Sequence, residues 1–197
     1  MKIDIILAGV GGQGILSIAA TIGLAAVEAG LYLKQSEVHG MSQRGGDVQS
    51  NLRLSDKEIY SDLIPYGQAD MIISVEPMES LRYLPMLGPE GWLITNTTTY
   101  VNIPNYPNQD ALMAEIAKLP RHIALDADTI AKQSASAKSA NMVVLGAASP
   151  FINIDYTILE NAIHQLFGRK GEEVVNQNLA AMKAGRSYTQ NILKNVK

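Results

Sequence analysis

Two periods alternate along this chain. Short apolar, β-branched runs of the kind buried on both faces of a sheet are followed by segments whose apolar positions recur every three or four residues. The first run covers residues 2–8, and after a glycine turn Ile15, Ile18, Ile22, Ala26 and Ala29 fall at helical spacing, with Gly30 as a stop. The second, 69–75, leads to Pro77, which suits a first helical turn, and then to Met78, Leu81, Leu84 and Leu87. Residues 91–96 and 122–126 form two more runs, separated by a helix predicted over 110–118. Asp128 is expected to cap a helix starting near Thr129. Before the second run, 47–54 alternates as a half-buried strand, Asp56-Lys57 marks a turn, and 59–63 is expected to pair back as a short extended piece.

Later segments fit the same scheme. Residues 97–109, rich in Thr, Asn and Pro, form a long loop or crossing arm, and 134–139 is a small-residue break. Residues 142–148 are apolar on nearly every side, as in a buried helix or a subunit contact. Two helices follow, over 156–167 and 172–184, with Gly185 as a stop. The order predicts an α/β fold: a Rossmann-like, open, mostly parallel sheet with flanking helices and a β-hairpin-type insertion. One domain spans 1–187, and 188–197 is expected to be a polar C-terminal tail.

Composition narrows the chemistry. At 197 residues, 47% of them hydrophobic, the chain suits one substantial core. A net charge of -3 without a basic stripe gives no reason to expect nucleic acid, and no run is apolar for long enough to imply a membrane span. With no signal peptide before the first strand, the expected location is cytoplasmic. The absence of cysteine excludes disulfides, thiol nucleophiles and thiolate-held iron–sulfur clusters on this chain. His39, His122 and His164 lack metal-ligand spacing, so no metal site is expected.

The glycine turn is Gly9-Val10-Gly11-Gly12-Gln13-Gly14, a G-x-G-x-x-G pattern between a strand and a helix. Such a turn serves close packing of helix on sheet, or lets backbone N–H groups approach a phosphate. A dinucleotide site also expects an acid at the end of the second strand, and only Glu37 qualifies, slightly late. A stand-alone nucleotide-binding module, whether a small dehydrogenase or a ligand-sensing domain, is therefore one reading of the turn.

A second loop, His39-Gly40-Met41-Ser42-Gln43-Arg44-Gly45-Gly46, sets a guanidinium beside flexible backbone. Arg44 there can grip a carboxylate or phosphate, or simply be held by a local acid in a tight turn. His39 titrates near neutrality and can carry a proton, whereas Ser42 has no base nearby in sequence. Asn96, Thr97 and Thr98 follow a strand end, where open α/β sheets place ligands. Glu76, Glu79 and Arg82 form a helix first turn with an i,i+3 pair, and Asp126 and Asp128 are a strand end and a helix cap.

Over residues 3–185 the chain resembles the gamma-type domains of the 2-oxoacid:ferredoxin oxidoreductases, and within them the small beta subunit of the indolepyruvate branch. The markers are Gly9–Gly14 and the run from Ser36 through His39 to Gly46. Glu76-Pro77-Met78-Glu79, Asn141–Ala147 and Asn178–Met182 add to them. The resemblance implies a subunit inactive alone, supporting coenzyme A-dependent oxidative decarboxylation of aryl pyruvates with electrons passed to ferredoxin. Thiamine diphosphate with magnesium and [4Fe–4S] clusters would sit on a large partner subunit. His39, Gln43 and Arg44 would then be the candidate catalytic residues, at the subunit junction or the coenzyme A channel. Gly9, Gly11, Gly12 and Gly14, with Gly45 and Gly46, would be the candidate cofactor-binding backbone, cradling the coenzyme A pyrophosphate or packing against the partner.

Overall fold

The computed structural model describes residues 1–39, 45–134 and 136–195. Six strands form one sheet: β1 (Lys2–Val10), β2 (Tyr32–His39), β3 (Asp47–Ser55), β4 (Ala69–Ser74), β5 (Leu87–Asn96) and β6 (His122–Leu125). Their order is β2-β3-β1-β4-β5-β6. β1, β4, β5 and β6 run parallel, while β3 is antiparallel to both β1 and β2. The antiparallel hairpin is β2–β3, laid along the edge of the parallel sheet, where the sequence pattern suggests 47–54 pairing with 59–63.

Helices cover both faces, which is why the central strands are continuous apolar runs. On one face α1 (Ile15–Glu28), α4 (Ala127–Ser134), α5 (Ala140–Ala148), α6 (Tyr156–Phe167) and α7 (Glu172–Asn195) enclose the larger core with Ile5, Leu7, Ile73 and Ile94. On the other, α2 (Pro77–Arg82) and α3 (Gln109–Ala117) close a smaller core around Ile6, Ile72, Leu93 and Ile116. The chain leaves β1 toward the first face and β4 toward the second. That change of side opens a crevice at the C-terminal ends of the strands.

An ion pair stands inside the sheet. Asp4 on β1 is fully buried, and Arg53 on β3 meets both its oxygens, through Nε at 2.7 Å and Nη2 at 3.1 Å. Lys2 adds a third contact at 2.8 Å. A buried carboxylate is tolerated when it is satisfied in this way.

The structure departs from the sequence expectations in four places, each for a local reason. Residues 59–63 are not a strand: the Ser61 and Leu63 carbonyls accept from Arg53 Nη1 at 3.0 and 2.9 Å, and Asn51 Oδ1 takes the Ile64 N–H at 3.2 Å. Side chains of β3 thus occupy backbone groups that a ladder would need. The helix after Pro77 ends at Arg82, since Pro85 has no N–H to continue it, and Leu87 opens β5 after a tight turn at Leu84–Met86. Asp126, not Asp128, caps α4, accepting from Thr129 N at 2.9 Å and Thr129 Oγ1 at 2.7 Å.

The fourth departure is at Gly185, which lies inside α7 rather than at its end. A Cβ there would lie 1.9 Å from the Val143 carbonyl oxygen, and one on Gly146 would lie 1.9 Å from that of Met182. The two glycines face each other where α5 and α7 cross at backbone contact. Residues 188–195 accordingly continue the helix, with buried Thr189 donating to the Ala147 carbonyl at 2.8 Å and Tyr188 to that of Ala124 at 3.1 Å.

Candidate functional site

The glycines of the first turn do different jobs. A side chain on Gly9 would collide with Val75 Cγ2 at 2.4 Å and Ile15 Cδ1 at 2.8 Å, so that glycine serves packing. Gly14, at φ +82, is closed off by Asn141 of α5, whose Nδ2 donates to the Gly14 carbonyl at 3.0 Å. Gly12 differs. Its φ of +102 suits glycine alone, and nothing lies within 4 Å of where a Cβ would be. Gln13 steadies the turn by accepting the Val10 N–H on Oε1 at 2.8 Å.

The two glycine loops meet. Gly11 N donates to the Gly46 carbonyl at 2.8 Å, and Gly45 N, on a residue with φ +78, donates back to Gly11 at 3.3 Å. Asn102 Nδ2 holds the Gly45 carbonyl at 2.9 Å, which ties the arm after β5 to the same point. Gln43, Arg44 and the His39 side chain lie outside the described residues.

Beside the open face of Gly12 is a cleft of about 380 Å³, lined by Gln13, Asn96, Thr98, Lys138 and Asn141 among others. Asn96, at the end of β5, organises its floor. Its Nδ2 donates to Asp128 at 2.9 Å, and its Oδ1 accepts from Ala127 N at 3.0 Å and Thr98 N at 3.3 Å. Helices α1, α4 and α5 all begin around this space, and neither α1 nor α5 has a side-chain cap. The 3-10 turn Ala137–Ser139 runs directly into α5, but the uncapped start of α1 directs free N–H groups and the positive end of its dipole outward, and Lys138 adds a cation. The arrangement suits an anionic group such as a phosphate or carboxylate.

Across the crevice lies a buried acidic pair. Glu76 is fully buried two residues past the end of β4 and caps α2 by accepting the Glu79 N–H at 2.8 Å. It also takes the Tyr100 N–H at 3.2 Å and the Tyr106 hydroxyl, both from the arm. Glu79 forms the expected i,i+3 pair with Arg82, at 2.7 and 3.3 Å, yet burial pushes its carboxyl above the usual range against the pull of Arg82. Tyr83 donates to Asp47 at 3.3 Å, and burial with the neighbouring carboxylate pushes its phenol up to about 12.

The structure therefore unites the glycine turn, Gly45, Gly46, Asn96, Thr98 and Asp128, and brings Glu76 beside them through the arm. It does not bring Glu37 to the turn. That residue lies on β2, opposite Ser50, with β3 between it and β1, so the second-strand acid of a dinucleotide site is missing. Among the described residues no three acids or histidines are grouped to hold a metal ion. Lys138, Asn102 and Tyr106 were not singled out in sequence. The Thr/Asn/Pro-rich composition of the arm was the one signal pointing toward two of them.

Residues 4–188 match the pyruvate ferredoxin/flavodoxin oxidoreductase family. The chain belongs to that family. Among its relatives, indolepyruvate oxidoreductase subunit IorB of Archaeoglobus fulgidus is 36% identical, covering 98% of this chain and 96% of the relative. The subunit of the same name from Methanothermobacter thermautotrophicus is 32% identical over 94% of this chain and 96% of its own. Of solved structures, the 2-oxoglutarate:ferredoxin oxidoreductase from Magnetococcus marinus, with 2-oxoglutarate, coenzyme A and succinyl-CoA bound, superposes with a TM-score of 0.74 at 25% identity. That likeness covers 96% of this chain but 31% of the longer one. Pyruvate oxidoreductase subunit PORC from Thermotoga maritima, at 21% identity and a TM-score of 0.74 over 94% and 96% of the two chains, shares the fold. The resemblance read from the sequence is borne out, and the stand-alone nucleotide-binding module is not favoured. No described helix is long and apolar enough to cross a membrane.

Proposed function

We propose that this chain is the small subunit of an indolepyruvate:ferredoxin oxidoreductase, inactive alone and completed by a large partner subunit. The observation that carries the reading is the 36% identity to an IorB subunit along almost the full length of both chains. In the assembled enzyme an aryl pyruvate loses carbon dioxide, its acyl group passes to the sulfur of coenzyme A, and the electron pair leaves to ferredoxin. Thiamine diphosphate with magnesium supplies the decarboxylation chemistry and [4Fe–4S] clusters the electron path, both on the partner. With no cysteine and no described acid cluster, this chain's donor set does not fit either group. We place the reaction in the cytoplasm.

Coenzyme A, by contrast, fits what the chain offers. Its phosphates are suited by the open backbone at Gly12, the uncapped start of α1, and Lys138. Gly9 and Gly14 support that cradle from beneath, and Gly11, Gly45 and Gly46 lock the second loop to it. His39, Gln43 and Arg44 belong at the junction with the partner, near the 2-oxoacid. Leu16, Tyr100 and Val101 are exposed apolar residues at the same end of the sheet, suited to being covered by that subunit.

The test is co-expression with the large subunit, followed by an anaerobic assay of viologen reduction by indolepyruvate. Activity that needs both chains and coenzyme A is the expected result. Turnover by this chain alone, or no association between the two, overturns the proposal.

A further inference from the structure

We infer that Glu76 is a positioning residue: it clasps the arm of residues 97–108 to the start of α2 and so fixes one wall of the cleft. The inference rests on the reading of that cleft as a coenzyme A site, and it assigns a role to a residue that does not itself line the cleft.

A glutamate is an unusual residue at this position. Helix caps favour the short side chains of Ser, Thr, Asp and Asn, whose oxygens reach the first-turn N–H groups. Glutamate is not among them, and capping α2 alone does not call for its extra methylene. The longer side chain lets one oxygen stay on Glu79 N while the other reaches two donors of the arm, Tyr100 N and the Tyr106 hydroxyl. The carboxylate is also fully buried, and the neighbouring cation, Arg82, is engaged by Glu79. Among the described residues no cation pairs with Glu76, and a buried carboxyl group depends on the hydrogen bonds it receives, so the arm and Glu76 hold each other in place.

The arm also leads into the cleft. Thr98, Thr99 and Tyr100 line the cleft, and the Tyr100 N–H is one of the groups that Glu76 holds. Two residues on, Asn102 grips the Gly45 carbonyl, and Gly45 is paired with Gly11 of the glycine turn. Loss of the clasp frees the stretch between Thr98 and Asn102, and with it the wall facing Gly12. No reacting group is touched.

Glu76→Gln and Tyr106→Phe test this in the co-expressed complex. The phenylalanine variant removes one hydroxyl and leaves the α2 cap and the Tyr100 contact, so it reports even where the buried glutamine impairs folding. Coenzyme A is titrated calorimetrically into the complex without 2-oxoacid, and steady-state constants are measured beside it. We expect Kd and KM for coenzyme A to rise roughly tenfold, the scale of losing a hydrogen bond to a charged group. KM for the 2-oxoacid and kcat should stay near wild type. Lys138→Ala separates the two readings. If it weakens coenzyme A while both clasp variants bind as wild type, the clasp is wrong and the cleft assignment stands. If none of the three changes coenzyme A binding, both fall. An equal rise in both KM values would mark Glu76 as a general structural residue and overturn the inference.

Discussion

Gly185→Ala gives the sharpest check on the packing of α5 against α7. In an ordinary helix interior the change stabilises by about 1 kcal/mol, because alanine is the better helix former. At this crossing the new methyl would lie 1.9 Å from the Val143 carbonyl oxygen and 2.9 Å from Ala147 N, both backbone atoms that cannot rotate away. Ordinary contact needs about 3.4 Å or more, so α5 and α7 must separate. The residues along that seam, Val143, Ala147, Ala181 and Met182, are fully buried and would lose contacts together. Overpacking of a tight core costs about 1–3 kcal/mol, and the loosened seam adds to it. After subtracting the propensity gain we expect a net loss of about 2 kcal/mol, a fall in Tm of roughly 4–8 °C for a domain of this size. Urea and thermal unfolding of the purified chain measure it, with Gly171→Ala as a comparison at a glycine that meets no neighbour but has φ +100. Had Gly185 marked a helix end, alanine would be tolerated or favoured; a Tm at or above wild type would refute the crossing.

Two further outcomes follow from the charges. Arg53→Ala leaves Asp4 buried with, among the described residues, only the exposed Lys2 as a cationic partner and frees the Ser61 and Leu63 carbonyls; we expect a loss of about 3 kcal/mol in equilibrium urea unfolding. The Thr129 backbone and hydroxyl donors hold the Asp126 carboxyl below its usual range, so its contribution is present above the unfolded-state value and fades as pH falls through the folded one. Asp126→Asn should therefore flatten the acid limb of a stability–pH profile by less than about 1 kcal/mol, given how exposed the group is, and an unchanged limb would show that the cap is not ionic.

How far the sequence reached depended on how local each determinant was. The strands β1 and β4 and the helix Tyr156–Phe167 were legible because burial on two faces or on one stripe repeats along the chain itself. Gly185 was not, because its reason is Gly146 on another helix, and a glycine near a polar end has the local chemistry of a stop. Residues 59–63 carry a plausible strand pattern, yet Arg53 takes the Ser61 and Leu63 carbonyls and Asn51 the next N–H, at Ile64, a competition that no window of local sequence contains. The glycine turn was recognised as a unit, but only the fold separates Gly9 and Gly14, closed by neighbours, from Gly12, open to the cleft. The sharpest case is the pair of glutamates after β4. Both were expected as acids of a helix first turn; Glu79 is there, and Glu76 stands just before it as the cap. Glu79 turns along its own helix to Arg82, a partner three residues away. Glu76 turns outward to an arm that returns from the next strand, with donors at Tyr100 and Tyr106. Local spacing accounts for the first and says nothing of the second, because the arm is delivered by the order of strands in the sheet. The cleft is built mostly from contacts of this second kind, so its residues are ordinary Asn, Thr, Lys and Gly until the topology sets them together.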